Sequence, residues 1–121
     1  MEGDRKRLAR IKEIVTGPTL QTANDFFNAA LTMQHGSTVL DIVMAHELAV
    51  SSVLRGDTKS ARWLAAASYD RMLRYGGHRQ RFATQYDMEG LQRVDTDGIN
   101  DRMRQAMKCP TLAQAKKRVL R

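Results

Sequence analysis

Apolar residues recur along this chain at steps of three and four, not two. Leu8, Ile11 and Val15 predict a first amphipathic helix over about residues 4–15. Gly17-Pro18 breaks it, and Thr19 is placed to cap a second helix that runs to about Gln34. Leu20, Ala23, Phe27, Ala30 and Leu31 form the apolar stripe of that second helix, and Gly36 ends it. Ser37 or Thr38 caps a third helix over about residues 38–55, strongly apolar through Leu40, Val43, Met44, Val50, Val53 and Leu54. Asp57 caps a fourth, running to about Tyr75 and rich in small residues at Ala61, Ala65, Ala66 and Ala67. The connection through Gly56 is short, so the third and fourth helices must be antiparallel neighbours.

Gly76-Gly77 ends the fourth helix, and residues 76–95 show no clean period. They read as one long irregular loop, a feature that in a small domain is often functional. Asp97 is placed to cap a fifth helix carrying Ile99, Met103, Ala106 and Met107. Pro110 breaks that helix, and Thr111 caps a short last one with Leu112, Ala115 and Val119. No segment reads as a strand. The third and fourth helices look like one helical-repeat unit, but one unit is not a solenoid. The expected fold is therefore all-α: a single helical domain over residues 1–121, a compact bundle of five to six helices with a long loop after the fourth.

Composition agrees with this. The chain has 121 residues, 42% hydrophobic and 27% charged, with only 6% aromatic, as a soluble helical domain would have. No apolar run approaches the roughly 20 residues that cross a bilayer, and the basic N-terminus lacks a signal-peptide core. A lone cysteine, Cys109, reads as a structural thiol in a reducing cytoplasm. Net charge is +7, and the excess is carried by Arg102, Arg104, Lys108, Lys116, Lys117, Arg118 and Arg121, a stretch free of acids. Such a tail suits an anionic partner, but no nucleic-acid-binding motif accompanies it, and a solvated helix face that aids solubility is the plainer explanation.

Several polar residues sit where the helical period calls for apolar ones. His35 follows Phe27 and Leu31 at steps of four, and His46 follows Ile42. Asp70 follows Trp63, Ala66 and Ala67, and Arg71 follows Leu64, Ala67 and Ser68. Buried groups of this kind need partners or water. If the turn at Gly56 pairs the two helices, Asp70 lies opposite Ile42, with His46 roughly 6 Å deeper along the axis. His35, Asp70, Arg71 and the segment from His78 to Tyr86 are then expected to share one rim of a polar pocket, with His46 at its floor. A histidine and a carboxylate suit proton transfer, and Arg71, Gln80 and Gln85 suit an anionic or amide-bearing small molecule. No metal is expected, because no His-x-x-x-His or Cys-x-x-Cys occurs. No cofactor is expected either, because no glycine-rich phosphate loop occurs.

The segments MQHG at 33–36, AHELA at 45–49, ARWLAAASYDRML at 61–73 and GHRQRFATQY at 77–86 resemble an uncharacterised, mostly bacterial family catalogued as a domain of unknown function. Its pattern is Gln-His, then an alanine-rich helix ending in Asp-Arg, then Gly-x-x-Gln-x-[Tyr/Phe]-Gly-Thr-Gln, with a later acidic stretch and Asp-x-x-Arg. The resemblance covers roughly residues 30–105. It implies functional positions at Gln34, His35, Asp70, Arg71, Gln80, Thr84 and Gln85. The late acidic part falls from Val94-Asp95 onward, with Asp97 or Asp101 and Arg102. This chain departs from the pattern at Ala83, where the family has Gly; a positive φ there would strain the loop.

Three functions follow as alternatives. In the first, a small cofactor-independent enzyme or ligand-binding protein uses His35, His46 and Asp70 for acid/base chemistry such as hydrolysis, elimination or cyclisation. Gln34, Arg71, Gln80, Thr84 and Gln85 would then bind the small molecule. In the second, a helical interaction module of immunity or adaptor type uses the same polar cluster as a structural pin. In the third, the basic C-terminal helices bind nucleic acid.

Overall fold

The computed structural model describes residues 2–16, 19–57 and 60–118. The expected break at Gly17-Pro18, and Val119 and Arg121 at the C-terminus, lie outside the described residues. Six helices occur among them: α1 (Glu2–Thr16), α2 (Ala23–Gln34), α3 (Val39–Leu54), α4 (Ala61–Tyr75), α5 (Asp101–Ala106) and α6 (Leu112–Lys117). The long loop carries one small departure from the all-α expectation. Tyr86–Asp87 (β1) and Gly90–Leu91 (β2) pair antiparallel as a hairpin.

Side-chain caps set most of the helix starts. Thr38 accepts from the Asp41 N–H, and the Asp41 carboxylate reaches back to the Thr38 N–H. Thr111 and Gln114 make the same reciprocal pair before α6. The α2 start falls three residues later than expected, at Thr22 rather than Thr19. Asp25 stands three residues beyond Thr22 and completes a capping box with it. The Asp57 carboxylate accepts from the N–H groups of Ser60 and Ala61, so it serves the α4 start from outside the helix. The cap of α5 is Asn100, not Asp97, because Asn100 Oδ1 is the acceptor for the Met103 N–H. At the far end of α4, the N–H of His78 bonds the Leu73 carbonyl and that of Gly77 bonds Arg74. This double closure needs the left-handed φ of +77° that Gly77 supplies.

Helix α3 lies between α2 and α4 and packs against both. The core joins Ala29, Ala30 and Met33 of α2 to Ala45, Leu48 and Ala49 of α3 and to Leu64 and Ala65 of α4. Alanines at these positions let the helices approach closely. Leu8, Ile11 and Val15 of α1 close the cluster, and Lys12 pairs with the buried Asp41 at 2.9 Å. Gly36 makes the α2–α3 corner fit, since a Cβ there would lie 2.2 Å from Asp41 Cβ. The outward side of α3 leaves Val39, Leu40, Val50 and Leu54 exposed. The hairpin docks on α6 through Tyr86, whose hydroxyl donates to the Ala115 carbonyl at 3.0 Å. Among the described residues, no helix is long and apolar enough to cross a membrane.

Candidate functional site

Asp70 ends the buried face of α4 and is fully sealed from solvent. Its Oδ1 accepts the backbone N–H groups of Arg81 at 2.8 Å and Phe82 at 3.0 Å. Its Oδ2 accepts the Thr84 N–H at 3.2 Å and the Thr84 hydroxyl at 2.7 Å. Successive N–H groups converge in this way when one residue of the turn is left-handed, forming an anion-binding concavity. Ala83 is that residue, with φ +58°, and it is buried. The Asp70 carboxylate thus fills a main-chain nest made by the loop.

A second buried group, Gln80, holds the other side of the loop. Its Oε1 accepts the Gln85 N–H at 2.8 Å, and its Nε2 donates to the carbonyls of Gln85 at 2.9 Å and Gln92 at 2.8 Å. The side chain replaces a missing strand, pairing with Gln85 on both of its main-chain groups. Its own backbone joins Arg93 and Asp95. Gln85 then ties the loop to α4 by donating to the Ala67 carbonyl at 3.2 Å.

Two arginines outside the expected set complete the clamp. The Arg81 guanidinium binds the Asp95 carboxylate at 2.7 Å and the carbonyls of Asp97 and Gly98. Arg104 is buried on α5; it donates to the Arg81 carbonyl at 3.1 Å and pairs with Asp101 at 3.0 Å. The Asp-x-x-Arg spacing is therefore realised by Asp101 and Arg104, while Arg102 is exposed. The spacing was the available signal, because i and i+3 share a helix face. Nearby, burial pushes the Cys109 thiol up to about 12, with the Asp70 charge adding to it.

The histidines do not join this network. His35 is the exposed C-cap of α2 and stands in a shallow cleft with Arg7, Leu8, Leu31 and Thr32. The expected Phe27–Leu31–His35 stripe is not the buried one, since α2 turns Ala29, Ala30 and Met33 inward. His46 is half-buried, and its Nδ1 lies 2.9 Å from the Ala65 carbonyl and 3.1 Å from Ser68 Oγ. A carbonyl only accepts, so Nδ1 carries a hydrogen and staples α3 to α4. Arg71 is spent as well: its guanidinium donates to the carbonyls of Gln34 and Gly36, where a cation complements the end of α2. Gln34 contributes that carbonyl, not its carboxamide. The pocket expected from His35, His46 and Asp70 is thus corrected. Among the described residues no imidazole bonds Asp70, and the carboxylate faces main-chain donors instead of a cavity.

A hollow that none of these clamps fills borders the same loop. A groove of about 700 Å³ runs between the hairpin and α6. Arg79, Arg93, Lys116 and Arg118 line it against a single carboxylate, Glu89, and Leu91, Val94 and Leu112 give it an apolar floor. Leu112 and Lys116 stand one turn apart on α6, which sets both toward the hairpin. Arg118 lies over the Tyr86 ring, 5.5 Å from its centroid. Among the described residues no group of three or more His, Cys, Asp or Glu side chains is placed to hold a metal ion. The sequence reading found the charge of the C-terminal segment but not the groove. Its walls come from short elements distant in the chain, with no local period to reveal them.

No family model, curated protein or solved structure matches this chain.

Proposed function

We propose that the protein is a small helical binding module that takes an anionic ligand in the groove between the hairpin and α6. The observation that carries this reading is the lining of the groove: four cations against one carboxylate over an apolar floor, in a hollow of ligand size. The ionisable groups there are suited to holding charge, since no histidine or carboxylate pair lines the groove for proton transfer. Asp70, Gln80, Thr84 and Gln85 act in this reading by fixing the loop that forms one wall.

The test is calorimetric titration of the protein with inorganic tripolyphosphate at low and moderate salt. Binding is expected to weaken as salt rises. The Arg93→Glu and Lys116→Glu double variant should lose at least about 10-fold in affinity, because reversing two of four cations removes the attraction. Equal affinity in the double variant overturns the reading.

A further inference from the structure

The groove is not isolated. A second cleft, of about 580 Å³, is lined by Arg74, His78, Arg79, Asp87, Glu89 and Arg93 among others, and shares Arg79, Arg93 and the carboxylate Glu89 with the groove. A third, of about 230 Å³, is lined by Arg71, Arg74, Tyr75 and Gln85, and shares Arg74 with the second. Three hollows therefore follow one another across the surface, with a guanidinium at each junction. Resting on the reading of the groove as an anion site, we infer that this row is a track for a single-stranded nucleic acid.

Three features favour that ligand over a compact anion. Charges spaced along a row match a chain that repeats a negative charge at intervals. Tyr75 sits at the end of the row, 47% exposed as a residue, with the Arg71 guanidinium over its ring, 5.9 Å from the centroid. A ring backed on one face by a guanidinium is a platform on whose other face a base can stack, whatever the base. The row also draws only on the last turn of α4, the loop after it, the hairpin and the short α6, so it presents no full helix or long ribbon to enter a duplex groove. Asp87 and Glu89 on the hairpin interrupt the positive wall, which keeps the backbone to the side of Arg74, Arg79 and Arg93.

Fluorescence anisotropy separates this from its rivals. The probes are labelled oligouridine of about four and about twelve nucleotides, a duplex of the longer length, and labelled polyglutamate. The track predicts that the longer single strand binds at least about 10-fold tighter than the shorter one and tighter than the duplex. It further predicts a steep fall with salt as counterions are released. Arg74→Glu and Tyr75→Ala, checked for native circular dichroism, should each lower oligonucleotide affinity about 10-fold while tripolyphosphate affinity falls far less. If oligonucleotide affinity ignores length, Arg74 and Tyr75 but still depends on Arg93, the track is wrong and the groove reading survives. If polyglutamate binds as tightly as the oligonucleotide, the partner is an acidic polypeptide and the track is wrong. If neither tripolyphosphate nor oligonucleotide binds, both readings fall.

Discussion

Thr84 grips Asp70 twice, through its hydroxyl at 2.7 Å and its main-chain N–H at 3.2 Å, both on Oδ2. That double grip defines what Asp70 is for. An acid poised for proton transfer needs a free lone pair toward a substrate; this one has each oxygen occupied by the loop it organises. Asp70→Asn keeps the shape but turns one acceptor into a donor facing N–H groups. The expected loss is at least about 3 kcal/mol by urea denaturation, since bonds to a charged group contribute about 1.5–3 kcal/mol each. Thr84→Val, which removes only the hydroxyl, should lose about 1–2 kcal/mol.

Ala83 offers a sharper check of the same nest. At φ +58° an alanine carries about 1–2 kcal/mol of strain relative to a right-handed backbone. Ala83→Gly removes the strain but gives freedom to the unfolded chain, so its stability should lie within about 1 kcal/mol of the parent. Ala83→Val adds a branched side chain to a buried left-handed position, and should lose more than about 2 kcal/mol in the same denaturation experiment.

Gln80→Ala strands the Gln85 N–H and takes the side-chain donor from the Gln92 carbonyl, while the Gln85 carbonyl keeps the Gln92 N–H at 3.2 Å. Each orphaned buried group costs about 1–3 kcal/mol. Amide exchange by NMR should show loss of protection at Gln85 and at Asp95, whose N–H bonds the Gln80 carbonyl at 2.7 Å. Protection in α2 and α3 should change far less. Uniform loss throughout the chain would mean that the loop and the bundle unfold as one unit.

Acid should weaken the loop clamps in a defined direction. The Asp97 N–H, followed by Arg81, holds the Asp95 carboxyl below its usual range; the Leu112 N–H, followed by Arg104, does the same for Asp101. A carboxyl depressed in the folded state contributes stability above its unfolded value of about 3.9, and loses it as pH falls through the folded value. Melting temperatures of Asp95→Asn and Asp101→Asn should therefore lie below the parent at neutral pH. The gap should close as pH falls below about 4. A gap that holds constant to acid pH would show that the charges of these groups do not matter.

Cys109 should behave as an inert thiol. With its ionisation pushed up to about 12 by burial, almost no thiolate exists at neutral pH. Alkylation by iodoacetamide should proceed only through opening of the structure, and should accelerate together with urea-induced unfolding.

The helices were legible because their caps and glycines are local. Thr38 and Thr111 act where the sequence places them, and Gly77 takes the positive φ that ends α4. Thr22 and Asn100 displaced the expected Thr19 and Asp97 because a cap is decided by which side chain reaches an N–H, and several candidates lie within a turn. The site was legible only in part. Helical period shows that Asp70 sits on a buried face, and it leaves open whether loop or ligand satisfies it. The link between Asp70 and the Gln80–Gln85 segment follows from the turn after α4. The absence of His35 from it does not, since that depends on which way α2 rolls on its alanines. Arg81 escaped because two of its partners are the main-chain carbonyls of Asp97 and Gly98, which carry no sequence signature, whereas the signal for Arg104 was its i, i+3 spacing from Asp101.

The hairpin wall is fixed from behind. Gln80 and Asp70 grip the loop through its main chain, whereas the side chains of Arg79, Met88, Glu89 and Arg93 are exposed and take no part in those grips. The outward residues can therefore be exchanged without redirecting the chain that carries them. Preference for one guest over another can drift by surface substitution while the framework stays the same, much as a handle can be reshaped on a hinge that never moves.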